Sequence, residues 1–442
     1  MQRLDHAARG SCVRRRNGAP VSRLVFGLLF CLMRLTLPSY AVELWSGKDD
    51  QASVSLDTAL KFSLLGSYGP DDPLLFPDRA TGMMLGRMRL TLNTTFSPQT
   101  TSEVAYEQRA RWYSSARAAG TGSAILPSFA EAPYRLGQLD WRIGSAGDRF
   151  EYRHEIDRAF IAYRPDWGAV TIGRQAIGLG RALMFSAVDV FSPFSPAEVD
   201  REWRRGVDAV RLECKLTDRS SAEIIGVFGE SWDESAALCR IRGYLGNLDG
   251  EFIIGKRARD FMVAGVVSAV VGDAAVHGEL AFYGTPDNHP DGGTFGNDHL
   301  VSKAVLGGSY TFNVGNGLTL FGEYHYNGFG IKDTDQTHVL FRNEDLQERL
   351  LRGDGQSLGR HALGLQLTYP INQMWTCGLL VLQNPVDGSG LVSPSVRWDF
   401  SQTGSLSIHA FAPWGQSPES GHIRSEYGSA PFSLFSQVNF HF

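Results

Sequence analysis

The sequence predicts an all-β protein, a closed antiparallel transmembrane up-and-down β-barrel, on three observations. Segments of alternating apolar and polar residues recur along the chain with no helix-forming run between them. The connections between these segments alternate between short and mostly long. The chain also stops on a two-faced strand, in which Phe432, Leu434, Ser436, Val438, Phe440 and Phe442 alternate with Ser433, Phe435, Gln437, Asn439 and His441. A barrel must pair its last strand with its first, so this segment reads as the closing strand. An apolar terminal strand with no tail would fray in a soluble sandwich.

From the N-terminus, Arg14, Arg15, Arg16 and Arg23 precede an apolar run over 24–37, interrupted by Arg34, and Ser39-Tyr40-Ala41 offers a small-x-small cleavage site. Residues 1–41 are therefore expected to be a secretory signal peptide and 42–442 one barrel domain. Phe30 is too bulky for the small residue that precedes a lipidated cysteine, which weighs against lipid attachment at Cys31. No later segment has the ~18 uninterrupted apolar residues of a membrane helix.

The strands follow in order. Val54, Leu56, Thr58, Leu60, Phe62 and Leu64 oppose Ser53, Ser55, Asp57 and Lys61; Met84, Met88, Leu90, Leu92 and Phe96 oppose Arg87, Arg89, Thr91 and Asn93. Val104, Tyr106, Ala110 and Trp112 oppose Glu103, Glu107, Arg109 and Arg111, while 157–163 has no clear phase. Val210, Leu212, Cys214 and Leu216 oppose Arg211, Glu213 and Lys215, and later segments oppose His277 and Glu279, then Glu323 and His325, to apolar neighbours. The last strands before the closing one centre on Leu363–Tyr369, Val392–Phe400 and Leu406–Ala410. Short connections fall at 97–100, 165–168, 217–220, 272–273, 314–317, 371–373 and 401–404, and long ones at 68–82, 114–148, 178–205, 230–259, 285–300, 329–359, 384–390 and 413–430. That gives 16 strands with both ends periplasmic, or 18 if the region around 250–256 adds a pair. Aromatic residues near segment ends (Tyr106, Trp112, Trp167, Tyr326, Tyr369, Trp375, Trp398, Phe400, Phe442) suit the two lipid–water boundaries.

Gly is 49 of 442 residues, which suits a sheet protein. Lys is only six of 42 basic residues, and Arg is the side chain that holds carboxylates and phosphates in a confined space. The net charge of −5 gives no support to nucleic-acid binding. Cys214, Cys239 and Cys377 lie outside the leader with no CxxC, CxxCH or Cys/His spacing, so no haem, structural zinc, metal site or other cofactor is expected. A disulfide from Cys239 to one of the others stays open.

The most distinctive stretch runs from Thr171-Ile172-Gly173-Arg174-Gln175-Ala176-Ile177-Gly178-Leu179-Gly180, through Asp189-Val190-Phe191-Ser192-Pro193-Phe194-Ser195-Pro196, to Asp200-Arg201-Glu202-Trp203-Arg204-Arg205-Gly206-Val207-Asp208-Ala209-Val210-Arg211. It resembles the alginate-export and related porin-like families of the bacterial outer membrane, over about 45 residues. The closing aromatic residue is similar to theirs. The resemblance implies a porin-like barrel in the outer membrane, in contact with its lipid and with the barrel-assembly machinery, and no particular solute.

Loop 178–205 is too rich in Phe, Pro and paired charge for a mobile surface loop. It is expected to fold inward and narrow the pore, with Phe185, Phe191, Phe194 and Trp203 packed on a wall and Glu198, Asp200, Arg201, Glu202, Arg204 and Arg205 in the channel; the rival is a packed outer loop. Lumen-facing charge is expected from Arg87, Arg89, Arg109, Arg111 and Arg211 in the first half and from Glu279 and Glu323 in the second. Such separation would set a field across the pore, unless the charges merely pair across strands. The expected function is passive passage of small hydrophilic solutes, with the Arg excess favouring anions. A barrel sheathing a cytochrome electron conduit and a polysaccharide export pore are the alternatives. A homo-oligomer or a periplasmic or extracellular partner protein stays open. Glu323-Tyr324-His325-Tyr326-Asn327-Gly328 resembles the His-x-Ser-Asn-Gly pattern of outer-membrane phospholipase but lacks the Ser, so no enzyme is expected.

Overall fold

The computed structural model describes residues 42–47, 51–115, 125–126, 132–144, 148–286, 293–333, 349 and 352–442. The expected leader, 1–41, lies outside them. Alternation becomes antiparallel strand throughout. A short β1 (Val42–Ser46) is followed by the long strands β2 (Ser53–Tyr68), β3 (Ala80–Ser97) and β4 (Thr100–Tyr113). Next come a short β5 (Asp140–Ile143), β6 (Phe150–Tyr163), β7 (Gly168–Gln175), β8 (Val207–Thr217) and β9 (Ser220–Val227). β10 (Ala236–Leu245), β11 (Leu248–Arg257), β12 (Asp260–Val271), β13 (Ala274–Gly284), β14 (Leu300–Phe312) and β15 (Leu318–Asn327) follow. β16 (His361–Pro370), β17 (Trp375–Gln383), β18 (Gly390–Asp399), β19 (Gly404–Trp414) and β20 (Phe432–His441) complete the sheet.

Each long strand pairs with its sequence neighbour, and β20 returns to β2, Ala59 opposite His441 through Tyr68 opposite Phe432, so the sheet closes. β1 continues the β20 line along the other half of β2, and Phe442 exchanges two 2.8 Å backbone hydrogen bonds with Thr58. β5 likewise pairs with the half of β6 that β7 leaves open. The barrel therefore has 18 strands. The expected alternative of 18 holds: the region 230–259 contains the β10–β11 hairpin, so it is not the single loop that a count of 16 requires. Inward positions there include Leu238 and Ile253, both buried, so the apolar–polar alternation that marks other strands is erased.

The unclear phase at 157–163 also has a cause. Ala105 opposes Arg158 while Tyr106 opposes Ile156, so Asp157 is the extra residue of a β-bulge. Side chains on its two sides point by opposite rules: Glu155 is inward before it and Ala162 inward after it. Leu64, Ile172, Ile224, Phe252, Leu306, Leu365 and Leu434 lie exposed on the outer face, where hydrocarbon replaces water. Rings stack near strand ends, as with Trp375 on Trp398 at 5.4 Å.

Inside, the barrel is not uniformly polar. The β2–β6 wall carries charge, whereas Ile225, Leu238, Ile253, Met262, Val266, Val305 and Phe435 turn apolar side chains inward elsewhere. They form one core with Ile177, Phe185, Val188 and Phe191, which lie between β7 and β8. The hydrophobic core of this molecule is built around a loop.

Candidate functional site

The loop runs over 176–206, slightly longer than expected, and crosses the lumen. Its outbound limb, 176–193, lies on the far wall. Glu279 on β13 accepts hydrogen bonds from the amides of Arg181 (2.6 Å), Ala182 (2.9 Å) and Ala187 (2.8 Å) and from the Ser186 hydroxyl (2.9 Å). Glu323 on β15 accepts the amides of Leu183 (2.6 Å), Met184 (2.8 Å) and Phe185 (2.9 Å). The strands supply two buried anions, and the loop turns its N–H groups onto them like an anion-binding nest. Gly180 permits this with φ +83°, where a Cβ would overlap Glu279 and Val188. Phe185 stacks on His325 at 5.2 Å, and Tyr134 meets Phe191 edge-on at 5.3 Å. Gln356 joins the outbound limb to the start of the return limb, accepting from Ser186 N–H at 2.6 Å and donating to the Phe194 carbonyl at 3.2 Å.

The return limb, 194–206, lies on the β2–β6 wall. Asp200 accepts from Lys61 (2.7 Å) and Arg87 (2.7 Å), and Glu202 from Lys61 (2.6 Å). His441 lies 3.1 Å from Glu202. The Trp203 ring sits beneath Lys61 (3.8 Å), Arg87 (4.8 Å) and Arg89 (5.2 Å). Behind it the wall is a lattice of pairs: Arg87 and Arg89 with Glu107, Arg89 with the bulged Asp157, Arg109 with Glu107 and Glu155. Arg135 enters from the 114–148 connection and bridges Glu155 (2.7 Å) and Asp157 (3.1 Å). Asp157 also accepts the Gly206 amide at 3.1 Å, which fixes where the loop rejoins the wall.

The expected residues thus divide by what they touch. Arg201 donates to the carbonyls of Leu183 (2.8 Å), Ser195 (3.0 Å), Pro196 (2.5 Å) and Glu198 (3.1 Å), joining the two limbs. Arg204 pairs with Asp189 within the loop. Glu198 accepts from Ser195 N–H at 3.2 Å, and burial, the largest effect, pushes its carboxyl up to about 7. Glu202 goes the other way: hydrogen bonds from His441 and Lys61 outweigh burial and hold it at about 2. The Nε and Nη2 of Arg205 are buried without a partner, beside Arg135, Asp157 and Glu107. Arg87, Arg89, Arg109 and Arg111 all face inward on this wall, with Arg111 beside Tyr113 and Glu151. Arg211 stands apart, paired with Glu223 on β9. Glu279 and Glu323 face inward too, but their oxygens are taken up by loop amides, so they do not form the open acidic sector of a transverse field.

Sequence reasoning missed Lys61 as the loop's main cation and missed Glu151, Arg153, Glu155 and Asp157. Those four alternate in charge-bearing positions i, i+2, i+4, i+6, a readable lumen signal hidden by the bulge. Cys214, Cys239 and Cys377 are free thiols. Among the described residues no group of three His, Cys, Asp or Glu could hold a metal.

No protein-family model and no curated protein matches the sequence. Solved structures do match in fold. OccAB4 of Acinetobacter baumannii superposes with TM-score 0.53 at 12% identity, over 90% of this chain and 100% of that one. OccAB3 of the same organism gives 0.53 at 9%, over 88% and 99%. OpdK of Pseudomonas aeruginosa, solved with vanillate, gives 0.50 at 8%, over 88% and 98%. A closed 18-strand barrel with an apolar outer face and this likeness has the fold of an outer-membrane porin.

Proposed function

We propose that this protein is an outer-membrane channel for passive passage of small hydrophilic solutes, anions before cations. The observation that carries the reading is the lumen itself. A loop crosses it and faces seven buried cations (Lys61, Arg87, Arg89, Arg109, Arg111 and Arg153 on the strands, Arg135 from the 114–148 connection) against the three buried strand carboxylates of Glu107, Glu155 and Asp157. The Arg205 guanidinium adds buried N–H groups with no partner. Buried donors of this kind favour a carboxylate or phosphate passing close by. The vanillate bound by OpdK is a carboxylate, which agrees with this reading. A cytochrome sheath is disfavoured, because the loop occupies the space a cytochrome would fill.

The test is reconstitution into planar bilayers with reversal potentials in asymmetric KCl. Steady conductance with chloride preferred over potassium is expected, and Arg205→Ala should reduce that preference. No conductance from correctly folded protein would remove the channel reading; potassium preference would remove the anionic part.

A further inference from the structure

Lys61 is 2% exposed, and its ion-pair partners are both on the loop, Asp200 and Glu202; no strand supplies it with a carboxylate among the described residues. A buried ammonium without an anion is costly, so this point of the wall demands one. Three strands converge on the anion it has. Lys61 on β2 and Arg87 on β3 each reach Asp200 at 2.7 Å, one to each oxygen, and Gln437 on β20 donates to it at 3.5 Å. Asp200 is 8% exposed, and Trp203 lies against both cations. Two cations and an amide, from three strands, converging on one carboxylate are the parts of a small-molecule site for a carboxylate. Glu202, with 43% of its side chain exposed, sits at the rim of the same cation.

We propose that Lys61, Arg87 and Gln437 form a carboxylate-binding site on the pore wall, and that the return limb fills it with Asp200 as a tethered competitor for the solute. This rests on the channel reading above and adds a step to it. A tethered carboxylate acts at a high effective concentration, so a free one binds only when the limb gives way. Anion affinity at this point is therefore kept low by the chain itself. A weakly held solute leaves easily, which passage requires.

The probe is succinate, titrated against the KCl current of single channels. Wild type should need high succinate for half-block. In Asp200→Asn/Glu202→Gln the half-blocking concentration should fall about tenfold or more, because Lys61 is left without a charge partner and Arg87 keeps only Glu107. Adding Lys61→Met should abolish the gain. Equal sensitivity in wild type and the double variant would overturn the proposal. If the double variant fails to fold, as judged by loss of the heat-modifiable gel band, Asp200→Asn alone takes its place, since the amide keeps the side chain's shape. A readout without current separates the two claims: succinate should raise the melting temperature of the detergent-solubilised Asp200→Asn protein and not of Lys61→Met/Asp200→Asn. That shift in a non-conducting protein would keep the site and end the channel reading. Conductance with neither the shift nor the change in block would end the site and keep the channel.

Discussion

The two limbs of one loop are held to two walls by different chemistry. The outbound limb gives its backbone: six amides converge on Glu279 and Glu323, and Phe185, Val188 and Phe191 bury themselves beside them. The return limb gives side chains: Asp200 and Glu202 to Lys61, Asp200 to Arg87, Trp203 to three cations. Amides are the same for every residue, so the first attachment tolerates side-chain changes at 181–183 more readily than at Gly180, where a Cβ would overlap Glu279, or in the wall carboxylates. The second depends on charge on both sides. The first limb is built to stay and the second to exchange partners.

Removing the wall carboxylates should break that contrast most strongly. In Glu279→Ala/Glu323→Ala the six amides lose their acceptors, at a cost of at least about 3 kcal/mol of docking. Hydrogen exchange of 181–187 should accelerate by roughly a hundredfold. Unchanged protection would mean that apolar packing alone holds the limb. Trp203→Ala comes next. It should loosen 199–205 by about 1–2 kcal/mol while leaving 181–187 protected. Equal loss in both limbs would show that they dock as one unit. Salt should sharpen the comparison gently. Raising ionic strength from about 0.1 M to 1 M shortens screening from about 10 Å to 3 Å, but buried pairs are screened little. A few-fold faster exchange is expected in the return limb, and in the outbound limb only at Arg181, which pairs with Asp249 and Glu251; the same change across 182–187 would contradict an attachment made by backbone amides.

Most of the barrel was legible because lipid outside and water inside impose alternation residue by residue, as Leu60, Lys61, Phe62 and Ser63 show. It became illegible where the inside is not water. Leu238 and Ile253 face the loop's apolar limb, so β10 and β11 lost their pattern and the sequence left 16 or 18 strands open. Asp157 shifted the phase of β6 by one bulge. Charged loop residues could be picked out from 198–205, but not their division of labour. That Arg201 joins the two limbs through carbonyl groups depends on backbone path, which no spacing encodes. That Glu279 and Glu323 serve as anchors depends on strands 98 and 140 residues along the chain from Arg181 and Leu183. The signal available beforehand was weaker: a buried inward carboxylate must have a partner, and spacing alone does not say which.

Glu198 offers the finest test of the contrast, because it lies on the limb that charge controls. Burial raises its carboxyl from the ordinary 4.5 to about 7, with Asp200 adding to the rise and Ser195 N–H and Arg201 opposing it. A raised carboxyl takes up a proton in the folded loop before it does so in the unfolded chain. Docking of the return limb is therefore strongest below about 4.5 and weakens as pH rises through about 7. The side chain is partly exposed, so water blunts the effect, and a twofold to tenfold change is a fair scale. Exchange of 199–205, corrected for its intrinsic pH dependence, should be slower at about pH 5.5 than at about 7.5. Chloride preference should be higher at the lower pH, because one negative charge leaves the return limb there. Glu198→Gln should make both flat. A pH response that survives this substitution would assign it to another group, and one that appears equally in 181–187 would show that the two limbs do not act separately.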